Sequence, residues 1–115
     1  MDIAFRQLSV REKELIEKLL EHEFPGRDEL LSQLPFVTAK IINEEDGTLK
    51  LQCSSGSPAP RKNTLAVEGA CPDADGEMIS VLLHVDKSGF MHMLEIIKYA
   101  PSPIIKPPAA SDLLV

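Results

Sequence analysis

Residues 78–99 read MISVLLHVDKSGFMHMLEIIKY and carry the strongest β-strand signals in the chain. Two runs rich in β-branched and large apolar residues, 78–85 and 90–99, are separated by the turn-forming residues DKSG. The stretch therefore predicts a long β-hairpin. An even register would place Val81 opposite Glu95, whereas an odd register gathers the apolar side chains on one face. We expect the odd register, with these side chains aligned: Ile79, Val81, Leu83, Val85, Phe90, Leu94 and Ile96.

The hairpin register also decides whether two histidines, His84 and His92, can meet. A three-residue loop at 87–89 would set them directly opposite each other as a candidate metal pair. That loop gives an even register, whereas the odd register places the two imidazoles on opposite faces of the sheet. We therefore expect two ordinary sheet histidines and no metal site.

Residues 9–34 carry a helical periodicity that predicts two N-terminal helices. Ser9 and Glu12 have the spacing of a capping box, in which each side chain accepts a hydrogen bond from the other residue's amide. The sequence FPG at 24–26 ends the first helix, and Asp28 caps a short second one. Both helices have an apolar stripe, formed by Leu15, Ile16, Leu19 and Leu20 in the first and by Leu30, Leu31 and Leu34 in the second.

A second hairpin begins at Phe36, where the apolar period changes from about 3.6 to about 2. The loop EDG at 45–47 suits a three-residue turn with Gly47 at positive φ. Such a turn sets Ile41 opposite Leu51.

One long connection and one more strand complete the predicted elements. Residues 54–63 are rich in Ser, Gly and Pro and form the connection, and residues 64–68 form the strand. A chain of 115 residues has room for one core. We therefore predict a single α+β domain over 1–115, in which two N-terminal helices pack on one face of a mostly antiparallel sheet of about five strands. The Pro-rich tail, about 100–115, is expected to run extended over the surface.

Composition and charge exclude several partners and environments. Eighteen acidic residues against twelve basic ones give a net charge of −6, which argues against binding to nucleic acid or to anionic membranes. The N-terminal residues show neither the basic start nor the apolar run of a secretory signal, and no apolar stretch approaches the roughly 20 residues that span a bilayer. Cys53 and Cys71 lack the spacing of a metal or redox motif. We therefore expect a cytoplasmic protein with two reduced cysteines.

Residues 73–77, DADGE, resemble the start of a calcium-binding loop because alternate carboxylates precede a glycine. The twelfth position of such a loop is His84 rather than the required glutamate, so we expect no bound metal. No serine or cysteine lies in a recognisable nucleophile motif, and we assign no catalytic residue and no cofactor. Glu68 and Glu95 could serve acid–base chemistry if a cleft brought them together, which keeps an enzyme open as an alternative.

The strongest functional signal is the distribution of charge. Between Glu68 and Glu95 there are six acids and one base, Lys87, so this segment carries −5 of the net −6. Such a surface would attract a basic protein by long-range steering and by complementary charge at an interface. The alternative is a solvated acidic surface that keeps the protein soluble. The predicted partner-binding residues are Glu68, Asp73, Asp75, Glu77, Asp86 and Glu95.

Several motifs, in this order along the chain, resemble a known family. They include FPGRDEL at 24–30, DADG at 73–76 and VLLHV at 81–85. The chain resembles a family of small bacterial proteins classed as a domain of unknown function, and the likeness covers most of its length. The resemblance implies an α+β fold and a bacterial origin, and it assigns no activity to any residue. The chain departs from the family at 100–103, where it has APSP instead of an acidic turn after the last strand.

These observations lead to one leading functional hypothesis. The chain is expected to be a non-enzymatic protein-binding module, of immunity type or of regulatory type, that neutralises a basic partner. The contrasting hypothesis is a small enzyme or ligand-binding domain, which requires a cleft with convergent polar groups.

Overall fold

The fold is built from six strands and two α-helices in the computed structural model, which describes residues 4–60 and 66–115. In chain order the elements are β1 (Arg6–Gln7), α1 (Val10–Leu19), α2 (Arg27–Gln33), β2 (Val37–Asn43), β3 (Thr48–Cys53), β4 (Ala66–Pro72), β5 (Met78–Val85) and β6 (Met91–Lys98). Short 3₁₀ turns follow α2 at Leu34–Phe36 and lie near the C-terminus at Ala110–Asp112. Within the two described ranges, no helix has the length and apolar character needed to cross a membrane.

All six strands form one antiparallel sheet in the order β1-β2-β3-β6-β5-β4. The predicted α+β class with an antiparallel sheet is confirmed. Over residues 4–60 and 66–115 the sheet has six strands rather than about five, because β1 precedes the helices and places Arg6 opposite Ala39 at the sheet edge. A strand of two residues is too short to show the alternation by which strands are recognised in a sequence.

The two helices begin at different kinds of cap. Ser9 Oγ accepts from the Glu12 amide at 3.2 Å and Glu12 Oε1 accepts from the Ser9 amide at 2.8 Å, so the predicted capping box of α1 is confirmed. α2 begins after Gly26, whose φ is +101°, and not after Asp28 as predicted. A Cβ at position 26 would lie 3.2 Å from the Cβ of Ala59. The left-handed backbone and the close approach of Ala59 therefore both favour glycine at this cap.

The hydrophobic core lies between the helices and one face of the sheet, which we call the inner face. Its members include Leu15, Ile16, Leu19 and Leu20 from α1 and its C-terminal cap, Leu30 from α2, and Ala39, Leu49, Ile79, Val81, Leu83, Leu94 and Ile96 from the sheet. The sheet residues alternate along their strands, as expected when helices cover one face of an antiparallel sheet. Burial of these apolar side chains is the main force that holds the helices on the sheet.

The β5–β6 hairpin has the odd register that the sequence predicts, with Val81 opposite Ile96. A β-bulge shifts the register between His84 and Val85, and His92 is the extra residue. The bulge turns His92 to the face that carries His84, with ring centroids 6.2 Å apart, so the predicted separation of the two histidines is wrong. The bulge also buries Met91, which is 1% exposed, whereas Phe90 lies outside the core, so the predicted place of Phe90 on the core face is wrong.

The β2–β3 hairpin differs from the prediction in the pairing of its strands. Ile41 lies opposite Leu49, so the predicted pairing of Ile41 with Leu51 is wrong. Residues 44–47 connect the strands, and Gly47 has the predicted positive φ, +82°. A slip of two residues leaves every side chain on its original face, so the apolar alternation cannot distinguish the two pairings.

β4 is longer than the predicted strand at 64–68, because it continues to Pro72. Residues 64 and 65, and the end of the predicted connection at 54–63, lie outside the described residues. Cys71, near the end of β4, is 2% exposed and contributes to the core. The strand therefore extends four residues beyond the end of the predicted one.

The C-terminal tail returns along β4. Ala70 donates to the Leu114 carbonyl at 2.9 Å and accepts from the Leu114 amide at 2.8 Å. Leu113 is 2% exposed and belongs to the core, and Arg11 of α1 donates to the Pro108 carbonyl at 2.9 Å. The tail thereby covers part of the β4 edge and joins it to α1.

Candidate functional site

The outer face of the sheet is the face turned away from α1 and α2. Its side chains alternate with those of the inner face, and none of them belongs to the hydrophobic core of the described residues. Its members on β4, β5 and β6 include Glu68, Ala70, Met78, Ser80, Leu82, His84, His92, Met93, Glu95 and Ile97, and those on β2 and β3 include Thr38, Lys40, Lys50 and Gln52.

Two of the predicted partner-binding residues, Glu68 and Glu95, come together on the outer face. Glu68 of β4 and Glu95 of β6 both lie opposite Leu82 of β5. The three residues form one cross-strand row, in which two carboxylates flank an apolar side chain. This arrangement depends on the strand order, because β5 lies between β4 and β6.

Each of these carboxylates accepts a hydrogen bond from β5. Ser80 Oγ donates to Glu68 Oε1 at 3.2 Å, and His84 Nε2 donates to Glu95 Oε1 at 2.8 Å. The side chains of His84 and Glu95 are 30% and 36% exposed, and Glu68 is exposed. The two glutamates are therefore oriented by the sheet and remain accessible to solvent.

Asp73 is turned inward at the β4–β5 turn, where the whole residue, backbone included, is 5% exposed. Its carboxylate accepts from Lys98 Nζ at 2.8 Å and from the amides of Ile105, Lys106 and Ala74 at 2.9, 2.8 and 2.7 Å. Burial alone would raise the pKa of Asp73, but the Lys98 ammonium and the three amides outweigh burial and hold the pKa well below its usual range. Asp73 therefore joins the turn to the C-terminal tail.

The other acids of this turn, Asp75 and Glu77, are less enclosed. Lys98 Nζ also donates to Asp75 Oδ2 at 2.6 Å, and this ammonium and the Glu77 amide lower the pKa of Asp75. Burial lowers the pKa of Lys98, but the two aspartates raise it above its ordinary value, so Lys98 stays charged. Lys98 thus offsets part of the negative charge of the turn, and Glu77 is exposed at its end.

Asp86 lies at the other end of β5, in the β5–β6 turn. Its Oδ1 accepts from the amides of Ser88 and Phe90 at 2.8 and 3.0 Å, so the side chain orders this turn. Because β5 has 8 residues, its two turns are about 27 Å apart. The structure therefore distributes the six predicted acids over both ends and the middle of the sheet, and Glu68 and Glu95 are the two that share a row.

Sequence reasoning missed two residues that organise these acids, Lys98 and His84. Lys98 occupies an inward position of β6, two residues after the buried Ile96. A buried lysine requires an opposite charge, so its place in an apolar alternation is a signal that predicts a carboxylate partner such as Asp73. No comparable signal links His84 to Glu95, because their contact depends on the pairing of the two strands.

Apolar side chains accompany the carboxylates of the outer face. Leu82, Met93 and Ile97 are half-buried there, and Met78 at the start of β5 is 44% exposed. Tyr99, directly after β6, is 67% exposed. Tyr and Met are enriched at protein interfaces. The outer face therefore combines an accessible apolar centre with charged flanks.

Other parts of the molecule offer less defined chemistry. In the described parts of the chain, no three His, Cys, Asp or Glu side chains are placed to hold a metal ion together. A groove of about 450 Å³ lies beside α1 and is lined largely by charged residues such as Glu17 and Arg27. It contains neither Glu68 nor Glu95, the carboxylates that the enzyme hypothesis would use.

The comparison with protein families covers nearly the whole fold. The sequence model of a family described as a domain of unknown function (DUF6984) matches residues 5–108. The chain belongs to this family. The DUF6984 region runs from β1 through β6 into the tail, so it includes every strand of the outer face. The chain has no significant match among curated proteins or solved structures.

Proposed function

We propose that this DUF6984 protein is a non-enzymatic protein-binding module that binds a basic protein on the outer face of its sheet. The observation that carries the proposal is the row of Glu68, Leu82 and Glu95, in which two oriented carboxylates flank an accessible apolar side chain. An apolar centre with polar surroundings is the usual anatomy of a protein interface.

Charge complementarity supports a cationic partner. The chain carries a net charge of −6, and −5 of it lies between Glu68 and Glu95. At long range this charge steers a basic protein towards the sheet, and at contact the carboxylates accept hydrogen bonds from arginine or lysine.

The six predicted acids take different parts in this proposal. Glu68 and Glu95 contact the partner at the centre of the surface. Asp73 is buried and does not contact the partner. It is a positioning residue, because it holds the β4–β5 turn against the tail. The remaining three form a rim at the two ends of β5 and mainly accelerate association; they are Asp75, Glu77 and Asp86.

A module of this kind suits an immunity-type or regulatory role, in which an acidic surface covers the basic surface of another protein. We place this role in the bacterial cytoplasm, where Cys53 and Cys71 remain reduced. Both cysteines are free thiols in the structure. The protein would then act by occupying its partner rather than by converting a substrate.

Affinity capture with matched variants tests the proposal. The immobilised chain is incubated with an extract of the organism that produces it, and captured proteins are identified by mass spectrometry. We expect a protein of net positive charge that is retained by the wild type but lost with Glu68→Gln/Glu95→Gln. The control is Glu14→Gln/Glu17→Gln, which removes the same charge from exposed positions of α1.

Equal recovery of the same proteins by the wild type and the outer-face variant would contradict the proposal. Equal loss with both double variants would also contradict it, because net charge rather than the outer face would then govern capture. Circular dichroism and thermal melting establish that the two double variants are folded.

A further inference from the structure

We infer that the partner places a basic amphipathic α-helix on the outer face, along β5. This inference rests on the proposed function and adds the shape of the bound segment. Glu68 and Glu95 lie on the two strands that flank β5, which are about 10 Å apart. An α-helix with its side chains has a diameter of about 10–12 Å. A helix that packs on Leu82 therefore places one cationic side chain over Glu68 on one side and another over Glu95 on the other side.

The apolar side chains extend along β5 far enough to seat several turns of helix. Met78 and Leu82 lie on β5, and Ile97 and Met93 lie beside it on the same face of β6. From the row of Met78 to the row of His84 the strand spans about 20 Å, which about 13 residues of helix would cover. An apolar stripe repeated at i, i+3, i+4, i+7, i+8 and i+11 spans about 12 residues, or about 18 Å, and therefore matches a surface of this length.

Two lysines, on β2 and β3, border the proposed helix-binding site on the side of the sheet away from β4. Lys50 of β3 lies opposite Met93, and Lys40 of β2 lies opposite Lys50, so positive charge occupies the second half of the outer face. A basic helix is repelled from β2 and β3 and attracted to β4, β5 and β6. The distribution of charge therefore restricts the occupant to one half of the face.

An added β-strand fits the described sheet edges less well than a helix fits this face. At one edge, Ala70 of β4 already exchanges hydrogen bonds with Leu114. At the other edge, β1 offers the two residues Arg6–Gln7. Recognition by strand addition requires a longer open edge, whereas a helix binds through the side chains that the outer face presents.

Calorimetric titration with a synthetic peptide tests the inference. The probe is a peptide of about 18 residues, composed of Leu and Lys, with Leu repeated at i, i+3, i+4, i+7, i+8 and i+11. The matched control peptide has the same composition in an order that spreads Leu around the helix. We expect the amphipathic peptide to bind at least about tenfold more tightly than the control. The amide chemical shifts of the protein that change on addition of this peptide should map to β4, β5 and β6.

Variants of the full chain locate the binding site. Glu68→Gln/Glu95→Gln should weaken binding of the amphipathic peptide by about tenfold or more. The α1 control Glu14→Gln/Glu17→Gln should change it by less than about twofold, because exposed distant charges are screened. Lys50→Gln should strengthen binding, since it removes a repulsive charge at the border of the site.

Three results would overturn the inference, and they differ in what they say about the proposed function. Equal binding of the two peptides would exclude the helix while leaving a basic partner in place. Unchanged binding by Glu68→Gln/Glu95→Gln would exclude the outer face itself, and the capture experiment should then fail too. Dimerisation in sedimentation equilibrium that Leu82→Lys abolishes would assign the face to a second copy of the chain.

Discussion

Lys98 Nζ lies 2.8 Å from Asp73 Oδ2, and the two side chains are 3% and 0% exposed. Lys98 is the last residue of β6, and Asp73 directly follows β4. Asp73 also accepts hydrogen bonds from the Ile105 and Lys106 amides, so one carboxylate connects two strands and the tail. A buried ion pair need not exceed an apolar pair in stability, but removing one partner leaves a charge buried without compensation.

The first prediction is that Asp73→Asn lowers the melting temperature strongly at neutral pH. The pKa of Asp73 is lower in the folded chain than in the unfolded chain, so folding favours its ionised form. Its contribution to stability is therefore complete above about pH 4 and fades as the pH falls towards the folded pKa. The difference in melting temperature between wild type and variant should shrink from about pH 7 to about pH 3.

Thermal melts followed by circular dichroism at the two pH values check this prediction. Asp75→Asn is the matched control, because Asp75 shares Lys98 but has a side chain that is 29% exposed. It should lower the melting temperature less than Asp73→Asn does. A constant difference between wild type and Asp73→Asn across this pH range would show that ionisation of Asp73 does not stabilise the fold.

The second prediction compares two adjacent leucines of the tail. Leu113 is 2% exposed and lies in the core, whereas the neighbouring Leu114 is 73% exposed. Leu113→Ala should reduce the free energy of unfolding by about 2–4 kcal/mol, because it leaves a cavity. Leu114→Ala should change it by less than about 0.5 kcal/mol. Urea denaturation of both variants measures the difference, and similar losses would mean that the tail does not pack as a fixed part of the core.

The third prediction compares two glycines in turns. Gly89 and Gly76 have φ values of +90° and +85°, so alanine is strained at both positions. A Cβ at Gly89 would lie 2.5 Å from the Ala59 carbonyl oxygen, whereas a Cβ at Gly76 would meet nothing within 4 Å. Gly76→Ala should cost about 1–2 kcal/mol, and Gly89→Ala should cost at least about 1 kcal/mol more. Equal costs in urea denaturation would mean that the loop at Ala59 moves away freely.

Features that depend on local periodicity could be predicted from the sequence. The capping box at Ser9 and the odd register of the β5–β6 hairpin follow from side-chain spacing along one or two segments. The two-residue slip that pairs Ile41 with Leu49 could not be predicted, because it does not alter which residues face the core. The bulge at His92 could not be predicted either, because Phe90 and Met91 are both apolar and the alternation does not tell which of them joins the core. The glycine cap of α2 was also missed, since it depends on the approach of Ala59.

For the acidic residues too, some properties follow from the local sequence and others depend on contacts between distant parts of the chain. Their number and sign are properties of the sequence, but their positions depend on which strands are neighbours. Glu68 and Glu95 share a row because β5 lies between their strands. Asp73 is buried because Ile105 and Lys106, which are 32 and 33 residues further along the chain, fold back onto it. The sequence of residues 73–77 alone therefore cannot predict that Asp73 is buried.

The last prediction concerns the rates at which the basic amphipathic peptide binds and leaves. Glu77 lies in the turn at one end of the sheet, whereas Glu68 flanks Leu82 in the middle of the outer face. Rim charges act mainly on association and central contacts on dissociation. Glu77→Gln should therefore slow association about twofold at low salt and leave dissociation unchanged, and Glu68→Gln should accelerate dissociation by about fivefold or more.

Stopped-flow binding at two salt concentrations separates these effects. The Debye length falls from about 30 Å at about 0.01 M salt to about 8 Å at about 0.15 M, so the effect of Glu77→Gln on association should largely disappear at the higher concentration. The effect of Glu68→Gln on dissociation should persist, because a contact beneath a bound helix is shielded from the salt. If Glu68→Gln changed association alone and lost its effect in salt, Glu68 would be a rim charge as well, and the row around Leu82 would not be the centre of the binding surface.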